Sequence, residues 1–172
     1  TPLEGLMMGT RSGDLDPAIV PYVMNKEELS VGEVNSMLNK HSGLLAISGI
    51  SSDMRDIEAG AEKGDPNSTL AYDMYEYRLR KYIGSYTAAM NGVDVIVFTA
   101  GVGENSSKLR EKVLKNLTFL GIELDEEANK VRSGDPRRIT TVNSKVQVLV
   151  VPTNEELVIA RDTNRIVQGI NG

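Results

Sequence analysis

The chain has 172 residues, is 40% hydrophobic and carries a formal net charge of -5 at pH 7, which is enough material to bury a core in a domain of ordinary size. It has no cysteine and a single histidine, His41, so a disulfide framework and a thiolate metal site are excluded and a histidine-rich zinc site is poorly supplied. Basic residues are scattered, and no apolar run approaches ~18 residues, so we expect a cytoplasmic protein that binds neither nucleic acid nor membrane.

The first half of the chain predicts helices joined by polar loops. Asp16-Pro17 can open a helix because proline suits the first helical position, and residues 30–33 have the spacing of a capping box. A long helix is predicted from Asp65-Pro66 to Asn91-Gly92. Its apolar residues recur at helical spacing and predict a buried core or a subunit interface; they are Leu70, Met74, Tyr77, Leu79, Tyr82, Ile83 and Tyr86.

The second half predicts an α/β arrangement. Residues 93–99 are β-rich and apolar, as in a central strand covered on both faces. Asn105 can cap a helix that runs to Leu120 and ends at Gly121. Residues 146–151 predict a second buried strand, and the spacing of Thr153 and Glu156 predicts a capping box at the start of the last helix.

The predicted strands are few for a chain of this size. Only two or three are convincing, which is thin for a self-sufficient sheet. The sequence also begins with Thr1 rather than methionine. We therefore expect a helix-rich α/β piece of a longer protein, truncated or clipped before Thr1.

The junction after the first strand is the most informative segment, Ala100-Gly101-Val102-Gly103-Glu104-Asn105. Glycines allow a sharp turn and a close approach to a ligand, and the start of a helix favours phosphate. A plain strand-to-helix turn is the alternative. The segment matches neither a P-loop nor a complete dinucleotide loop. Ligands in open α/β sheets gather beyond the carboxyl ends of strands, so this loop and residues 152–156 are expected to face one pocket.

Carboxylates in these loops have two interpretations each. Glu155 can hold Mg²⁺ directly or through water, which suits phosphate chemistry, or Glu155 and Glu156 can simply cap the last helix and interact with its dipole. Asp53, in the polar segment Ser51-Ser52-Asp53-Met54-Arg55, can accept hydrogen bonds from a ribose or base, or can be an N-cap alone.

The loop Thr10-Arg11-Ser12-Gly13-Asp14-Leu15-Asp16-Pro17 carries one arginine. A guanidinium can neutralise the charge on a transferring phosphoryl group because its planar fork matches phosphate oxygens. The alternative for Arg11 is a surface ion pair with Asp14 or Asp16.

Four motifs, in order and in register, closely resemble the acetate kinase family over nearly all of the chain. They are the Thr10–Pro17 loop, Ser51–Arg55, Phe98–Ser106 and Pro152–Glu156. The resemblance implies the C-terminal, nucleotide-side part of a two-domain enzyme with the fold of actin, sugar kinases and heat-shock ATPases, which is ribonuclease H-like. It also implies a homodimer that uses Mg²⁺-ATP to convert acetate, or a similar short carboxylate, reversibly into an acyl phosphate and ADP.

The resemblance also assigns roles to individual residues. It makes Arg11 the transition-state-stabilising arginine and Glu155 the acid associated with Mg²⁺. The segments that it assigns to the adenosine end of the nucleotide are Asp53, Met54 and Arg55, and Gly101, Val102, Gly103, Glu104 and Asn105. No counterpart of the family's N-terminal domain is present, so we expect the 172 residues alone to lack turnover.

Two other classes of function are considered. The first is a dinucleotide-binding oxidoreductase domain, in which Asp125 follows a possible short strand at residues 121–124, near the expected position of a ribose-binding acid. The missing third glycine argues against it. The second is a non-enzymatic nucleotide-binding or dimer-forming module whose tyrosine-rich helix makes the interface.

Overall fold

A computed structural model describes residues 1–170 and divides the chain into two compact units, the first from Thr1 to Gly92 and the second from Val93 onward. The first unit is helical. Its helices are α1 (Ile19–Lys26), α2 (Val31–Lys40), α3 (Gly43–Ser48), α4 (Met54–Glu62) and α5 (Pro66–Ala89). Within residues 1–170, no helix is both long and apolar enough to span a membrane.

Local capping explains where these helices begin. The predicted capping box is confirmed at α2, where the Glu33 amide donates to Ser30 Oγ at 3.3 Å and the Ser30 amide donates to the Glu33 carboxylate at 2.8 Å. Asp65 starts α5 by accepting from the Ser68 amide at 2.7 Å. Helix α1 begins at Ile19 rather than at Pro17, because the Asp16 side chain and carbonyl first form a turn that accepts the amides of Ala18 and Ile19.

The apolar stripe of α5 was predicted to form a buried core or a subunit interface; four of its members do not lie in the core, and the interface alternative stays a prediction. The exposed fractions of Leu70, Met74, Tyr77 and Tyr86 are 52%, 39%, 51% and 60%. The buried face is instead made by Ser68, Ala71, Tyr72 and Glu76. This face packs closely on α4 because small residues meet there. A Cβ on Gly60 of α4 would lie only 2.4 Å from Ser68 Oγ of α5.

The second unit joins a small sheet to short helices. Its elements are β1 (Val95–Phe98), α6 (Ala100–Asn105), α7 (Ser107–Lys115), a 3₁₀ turn (Thr118–Leu120), α8 (Glu126–Lys130), β2 (Arg137–Arg138), β3 (Gln147–Val150) and α9 (Glu155–Ile170). The strand order is β1-β3-β2, with β1 parallel and β2 antiparallel to β3. The coarse expectation of a helix-rich α/β chain with few strands is confirmed.

The prediction that the first strand is central and doubly covered is wrong. In the part of the chain that the structure describes, β1 is an edge strand, and β3 lies between its neighbours. Ile96 and Phe98 are buried, but Val95 and Val97 are 44% and 50% exposed. A uniformly apolar strand therefore has only one covered face here, and the alternation that normally reveals this is absent from the sequence.

The predicted single helix from Asn105 to Leu120 is also wrong. The segment divides into α6, α7 and a 3₁₀ turn, and Ser106 rather than Asn105 caps α7 by accepting from the Leu109 amide at 3.1 Å. Asn105 instead donates its side-chain amide back to the Gly101 carbonyl at 2.8 Å. Gly121 ends the run in the left-handed conformation, as predicted.

Candidate functional site

The loop that carries Arg11 is held in the first unit by backbone contacts with α2 and α3. The Ser42 amide donates to the Thr10 carbonyl at 2.9 Å, and the Ser12 amide donates to the Leu38 carbonyl at 3.0 Å. Gly43 lies directly against the backbone of this loop. Its φ is +65°, and a Cβ on it would lie 2.1 Å from the Met8 carbonyl oxygen. Glycine is therefore required at this position, and the loop backbone is fixed while the Arg11 side chain remains exposed.

The predicted alternative for Arg11, an ion pair with Asp14 or Asp16, is wrong. Among residues 1–170 its guanidinium contacts only the Met8 sulfur, at 3.9 Å. Asp14 is occupied elsewhere, because it accepts from the Gly5 amide at 2.7 Å and from the Tyr82 hydroxyl, and these bonds hold the pKa of its carboxyl below the usual value. The guanidinium is thus uncompensated and faces solvent, as an anion-binding arginine requires.

Asp53 caps α4, so the N-cap interpretation of this residue is confirmed. Its carboxylate accepts from Arg55 Nε at 3.0 Å and Nη2 at 2.5 Å, and from the Arg55 amide at 2.9 Å; these bonds, the side-chain ones most, lower its pKa to about 2. Met54 is 6% exposed and belongs to the core. A Cβ on Gly9 would lie 2.8 Å from the Ser52 carbonyl oxygen, so the Arg11 loop and the segment leading into Asp53 lie side by side.

The glycine segment forms α6, and its backbone strain lies on Ala100 rather than on a glycine. Ala100 has φ at +58°, while Gly101 and Gly103 have none of the positive φ values that demand glycine. A left-handed alanine costs about 1–2 kcal/mol, and such strain clusters at functional sites. A Cβ on Gly101 would meet nothing within 4 Å, so the backbone there is open to close approach by another molecule.

Glu104 joins this segment to the end of β3. Its carboxylate accepts from the Thr153 amide at 2.8 Å and from the Thr153 hydroxyl at 2.9 Å. These bonds lower the pKa of Glu104, the backbone amide having the largest effect. The Thr153 hydroxyl also lies 2.9 Å from the Ala100 amide, which donates to it. Thr153, which follows β3, therefore holds the strained Ala100 that follows β1.

The two loops line one cavity, as predicted from the strand order. Its volume is about 420 Å³, and its walls are Ala100, Gly101, Glu104, Thr153, Asn154, Glu155 and Glu156. Three of these residues are acids, and the depressed pKa of Glu104 keeps it ionised. The cavity is therefore acidic and lies at the carboxyl ends of parallel strands, where ligands of open α/β sheets bind.

The predicted capping box at Thr153 and Glu156 is wrong, because Asn154 caps α9 by accepting from the Leu157 amide at 3.0 Å. The side chains of Glu155 and Glu156 make no hydrogen bond or ion pair within residues 1–170, so they do not serve as side-chain caps. No group of three or more acidic or imidazole side chains is placed to hold a metal in the described residues. Free carboxylates of this kind fit Mg²⁺, which takes one or two of them and completes its shell with water and substrate oxygens.

Arg110 is a residue that our sequence analysis missed. It lies on α7, is 1% exposed and has no acidic partner among residues 1–170. Its guanidinium donates to the carbonyls of Gly103 at 2.8 Å and Glu104 at 2.9 Å, and to the side-chain and backbone oxygens of Asn129 at 2.8 and 2.6 Å. Burial, and then the nearby charge of Arg137, lower the pKa of Arg110 to about 10. An arginine among the apolar positions of α7 was the only available signal.

Asp125, the acid of the dinucleotide alternative, has a local role. It begins α8 by accepting from the Ala128 amide at 2.9 Å. Its carboxylate is thus used within its own turn, as expected of an N-cap.

Comparison with known proteins agrees with the motifs. The acetokinase family model matches residues 1–161. The chain is 60% identical to the acetate kinase of Symbiobacterium thermophilum over 168 residues and 62% identical to that of Thermosipho melanesiensis over 170 residues. Each match covers 98% of this chain and 42% of the relative, so the chain spans well under half the length of these curated relatives.

Solved structures give the same result. The acetate kinase of Porphyromonas gingivalis superposes with a TM-score of 0.89 at 50% identity, over 97% of this chain and 42% of that one. A propionate kinase of Francisella tularensis superposes with a TM-score of 0.84 at 42% identity, over 93% of this chain and 40% of that one. These relatives are kinases and give no support to the dinucleotide alternative. The chain belongs to the acetokinase family.

Proposed function

We propose that this chain forms part of an acetate kinase, which transfers the γ-phosphoryl group of ATP reversibly to acetate or a similar short carboxylate. One observation carries the proposal: relatives named acetate kinase are about 60% identical over 98% of the chain. The propionate kinase among the structural relatives keeps the choice of short carboxylate open to experiment. The acidic cavity beside the strained Ala100 supports a ligand site in this part of the protein.

The proposed architecture follows from the same relationship. We assign the 172 residues to a C-terminal, nucleotide-side domain of the actin, sugar-kinase and heat-shock-ATPase type, and we assign the acid-binding groups to an N-terminal domain outside them. On this assignment the 172 residues alone have no meaningful turnover. The parallel pair β1 and β3, with loops at their carboxyl ends, is compatible with such a fold.

Arg11 has the proposed role of stabilising the transition state. Phosphoryl transfer spreads negative charge over the equatorial oxygens of the moving group, and a positioned guanidinium lowers the energy of that charge. Arg11 suits this role because its loop backbone is fixed by the contact with Gly43 while its guanidinium has no acidic partner within residues 1–170. An arginine already paired with Asp14 would have been partly neutralised.

The remaining residues have proposed roles in binding. Glu155 associates with Mg²⁺, and the ion would neutralise charge on the phosphate oxygens when bound. The adenosine end of ATP or ADP contacts Gly101 to Asn105, where Gly101 leaves room for close approach. Both carboxylate oxygens of Asp53 accept from the Arg55 side chain, so for Asp53 to Arg55 the proposed contacts with a ribose come from backbone atoms and from the exposed side of this ion pair. Met54 contributes through its backbone, because its side chain lies in the core.

A chimera tests the proposal directly. These 172 residues replace the matching 42% of the Symbiobacterium thermophilum acetate kinase, and acetyl phosphate formation is measured with Mg²⁺-ATP and acetate. We expect an active chimera in which Arg11→Ala lowers kcat by at least ~10³-fold. Arg138→Ala, which removes the same charge from an exposed position of β2, is the matched control and keeps full activity. A folded but inactive chimera, or an active Arg11→Ala variant, contradicts the proposal.

We also propose a homodimer in the cytoplasm. The exposed apolar residues of α5, including Leu70 and Tyr77, offer a surface for a second copy, since contiguous exposed apolar patches mark interaction sites. Light scattering of the chimera, with Leu70→Lys as the variant, is expected to give twice the monomer mass for the parent and less for the variant. A parent that remains monomeric at micromolar concentration rules the dimer out.

A further inference from the structure

A second cavity adjoins the glycine segment and differs in charge from the first. Its volume is about 340 Å³, and it is lined by Glu104, Asn105, Arg132, Ser133, Gly134 and Arg137. Glu104 lines both cavities. No motif that we considered in the sequence includes the segment from Arg132 to Arg137, which connects α8 to β2.

The two arginines of this cavity form no ion pair in the part of the chain that the structure describes, and the charge of Arg137 is only the smallest of the causes that lower the pKa of Glu104. Arg132 is exposed and makes no hydrogen bond there. Arg137 donates only one long bond, from Nη1 to the Ser133 carbonyl at 3.4 Å, and its Nε is buried without an acceptor. Buried donors of folded proteins almost always have a partner, which is a protein group or an ordered water, so the unsatisfied Nε is available to an acceptor from outside the chain.

The single carboxylate of the cavity does not supply that acceptor. Glu104 Oε1 instead accepts hydrogen bonds from the amide of Thr153 at 2.8 Å and from its hydroxyl at 2.9 Å. Below Glu104, the buried Arg110 adds another positive charge, and the charge of Arg137 contributes to lowering the pKa of Arg110 after burial itself. Because the positive charges of Arg110 and Arg137 oppose each other, an anion bound beside Arg137 would be favoured by both charges.

We propose that the cavity between Arg132 and Arg137 binds a phosphate group. The planar fork of a guanidinium pairs with two phosphate oxygens, and the buried Arg137 Nε, the exposed Arg132 and the Ser133 hydroxyl supply donors of different directions around one cavity. The phosphate comes either from free orthophosphate or from a nucleotide. The proposal does not rest on kinase activity, because the cavity and its charges lie within the second unit.

The test is a calorimetric titration of the chain with orthophosphate. We expect one saturable site per chain, weakened at least ~10-fold by Arg132→Ala and by Arg137→Ala. Arg132→Ala keeps the test valid if Arg137→Ala disrupts β2, because Arg132 is exposed and has no partner to lose within residues 1–170. The matched control, Arg138→Ala, removes one charge from the neighbouring strand position and leaves the affinity unchanged.

The same variants identify the source of the phosphate. If AMP binds more tightly than orthophosphate and loses affinity in Arg132→Ala while adenosine binding is unchanged, the site takes a nucleotide phosphate. If only orthophosphate binding responds, the site takes the free anion. The inference is overturned if neither orthophosphate nor AMP binds saturably, or if Arg138→Ala weakens binding as much as Arg132→Ala. An inactive chimera with an intact orthophosphate site would contradict the proposed function alone.

Discussion

Replacing Arg110 with methionine removes the hydrogen bonds that connect α6 to α8 while keeping much of the buried volume. The four acceptors are the carbonyls of Gly103, Glu104 and Asn129 and the Asn129 side-chain oxygen. Asn129 is 1% exposed, so its two oxygens cannot turn to water, and each unsatisfied acceptor costs about 1–3 kcal/mol. The carbonyls of Gly103 and Glu104 are half-buried and regain water at a smaller cost.

The expected loss is about 3–4 kcal/mol of unfolding free energy. It is smaller than the sum of four charge-assisted bonds, because burying the guanidinium already costs desolvation energy, as its lowered pKa indicates. Arg110→Lys should recover only part of the loss, since one ammonium group cannot reach Asn129 and both α6 carbonyls together.

Urea unfolding of the chain, followed by circular dichroism, measures these differences. Arg165→Met is the control, because its ion pair with Asp162 is exposed and is worth less than about 1 kcal/mol. If Arg110→Met destabilises the protein by less than about 1 kcal/mol, the guanidinium is not the connection that we infer.

Three further changes test the site geometry. Gly43→Ala should destabilise the first unit by more than about 2 kcal/mol and shift the amide resonances of the Arg11 loop in NMR spectra; unchanged resonances would refute the close contact. Ala100→Gly should raise the unfolding free energy by about 0.5–1 kcal/mol, because relief of the left-handed strain exceeds the added chain entropy, and a destabilised variant would show that the strain is absent. Glu104 has a lowered pKa, so its contribution to stability is present above pH ~4.5 and is lost as the pH falls through the folded-state pKa. Glu104→Gln should flatten this acid dependence in urea unfolding at a series of pH values, and parallel curves would exclude a stabilising role for the bonds with Thr153.

Several interpretations based on neighbouring residues were confirmed by the structure. The capping box of Ser30 and the start of α5 at Asp65 both depend on hydrogen bonds that span three residues, so their geometry is contained in a short segment. The expectation that the loops after β1 and β3 face one pocket was also confirmed, because parallel strands bring their carboxyl ends to the same edge of a sheet.

Interpretations that depended on contacts between residues far apart in the sequence either failed or could not be made. The core alternative for the apolar stripe of α5 failed for four of its residues, because α5 packs on α4 through the face of Ser68. One local interpretation also failed, since the cap predicted at Asn105 belongs to Ser106. The left-handed residue of the glycine segment is Ala100, whose amide donates to the Thr153 hydroxyl, and no local pattern in the sequence indicated it.

The sequence by itself determined the family, the helix-rich α/β class and the helix boundaries that depend on local caps, because motifs and caps are contained within a few consecutive residues. Only the tertiary structure decided that Arg110 connects to Asn129, 19 residues away, and that Glu104 accepts from Thr153, 49 residues away. Such pairs form only after the chain has packed, and no local spacing specifies them. The same holds for the cavity between Arg132 and Arg137, because only the folded chain brings these arginines together and leaves Arg137 Nε without an acceptor within residues 1–170.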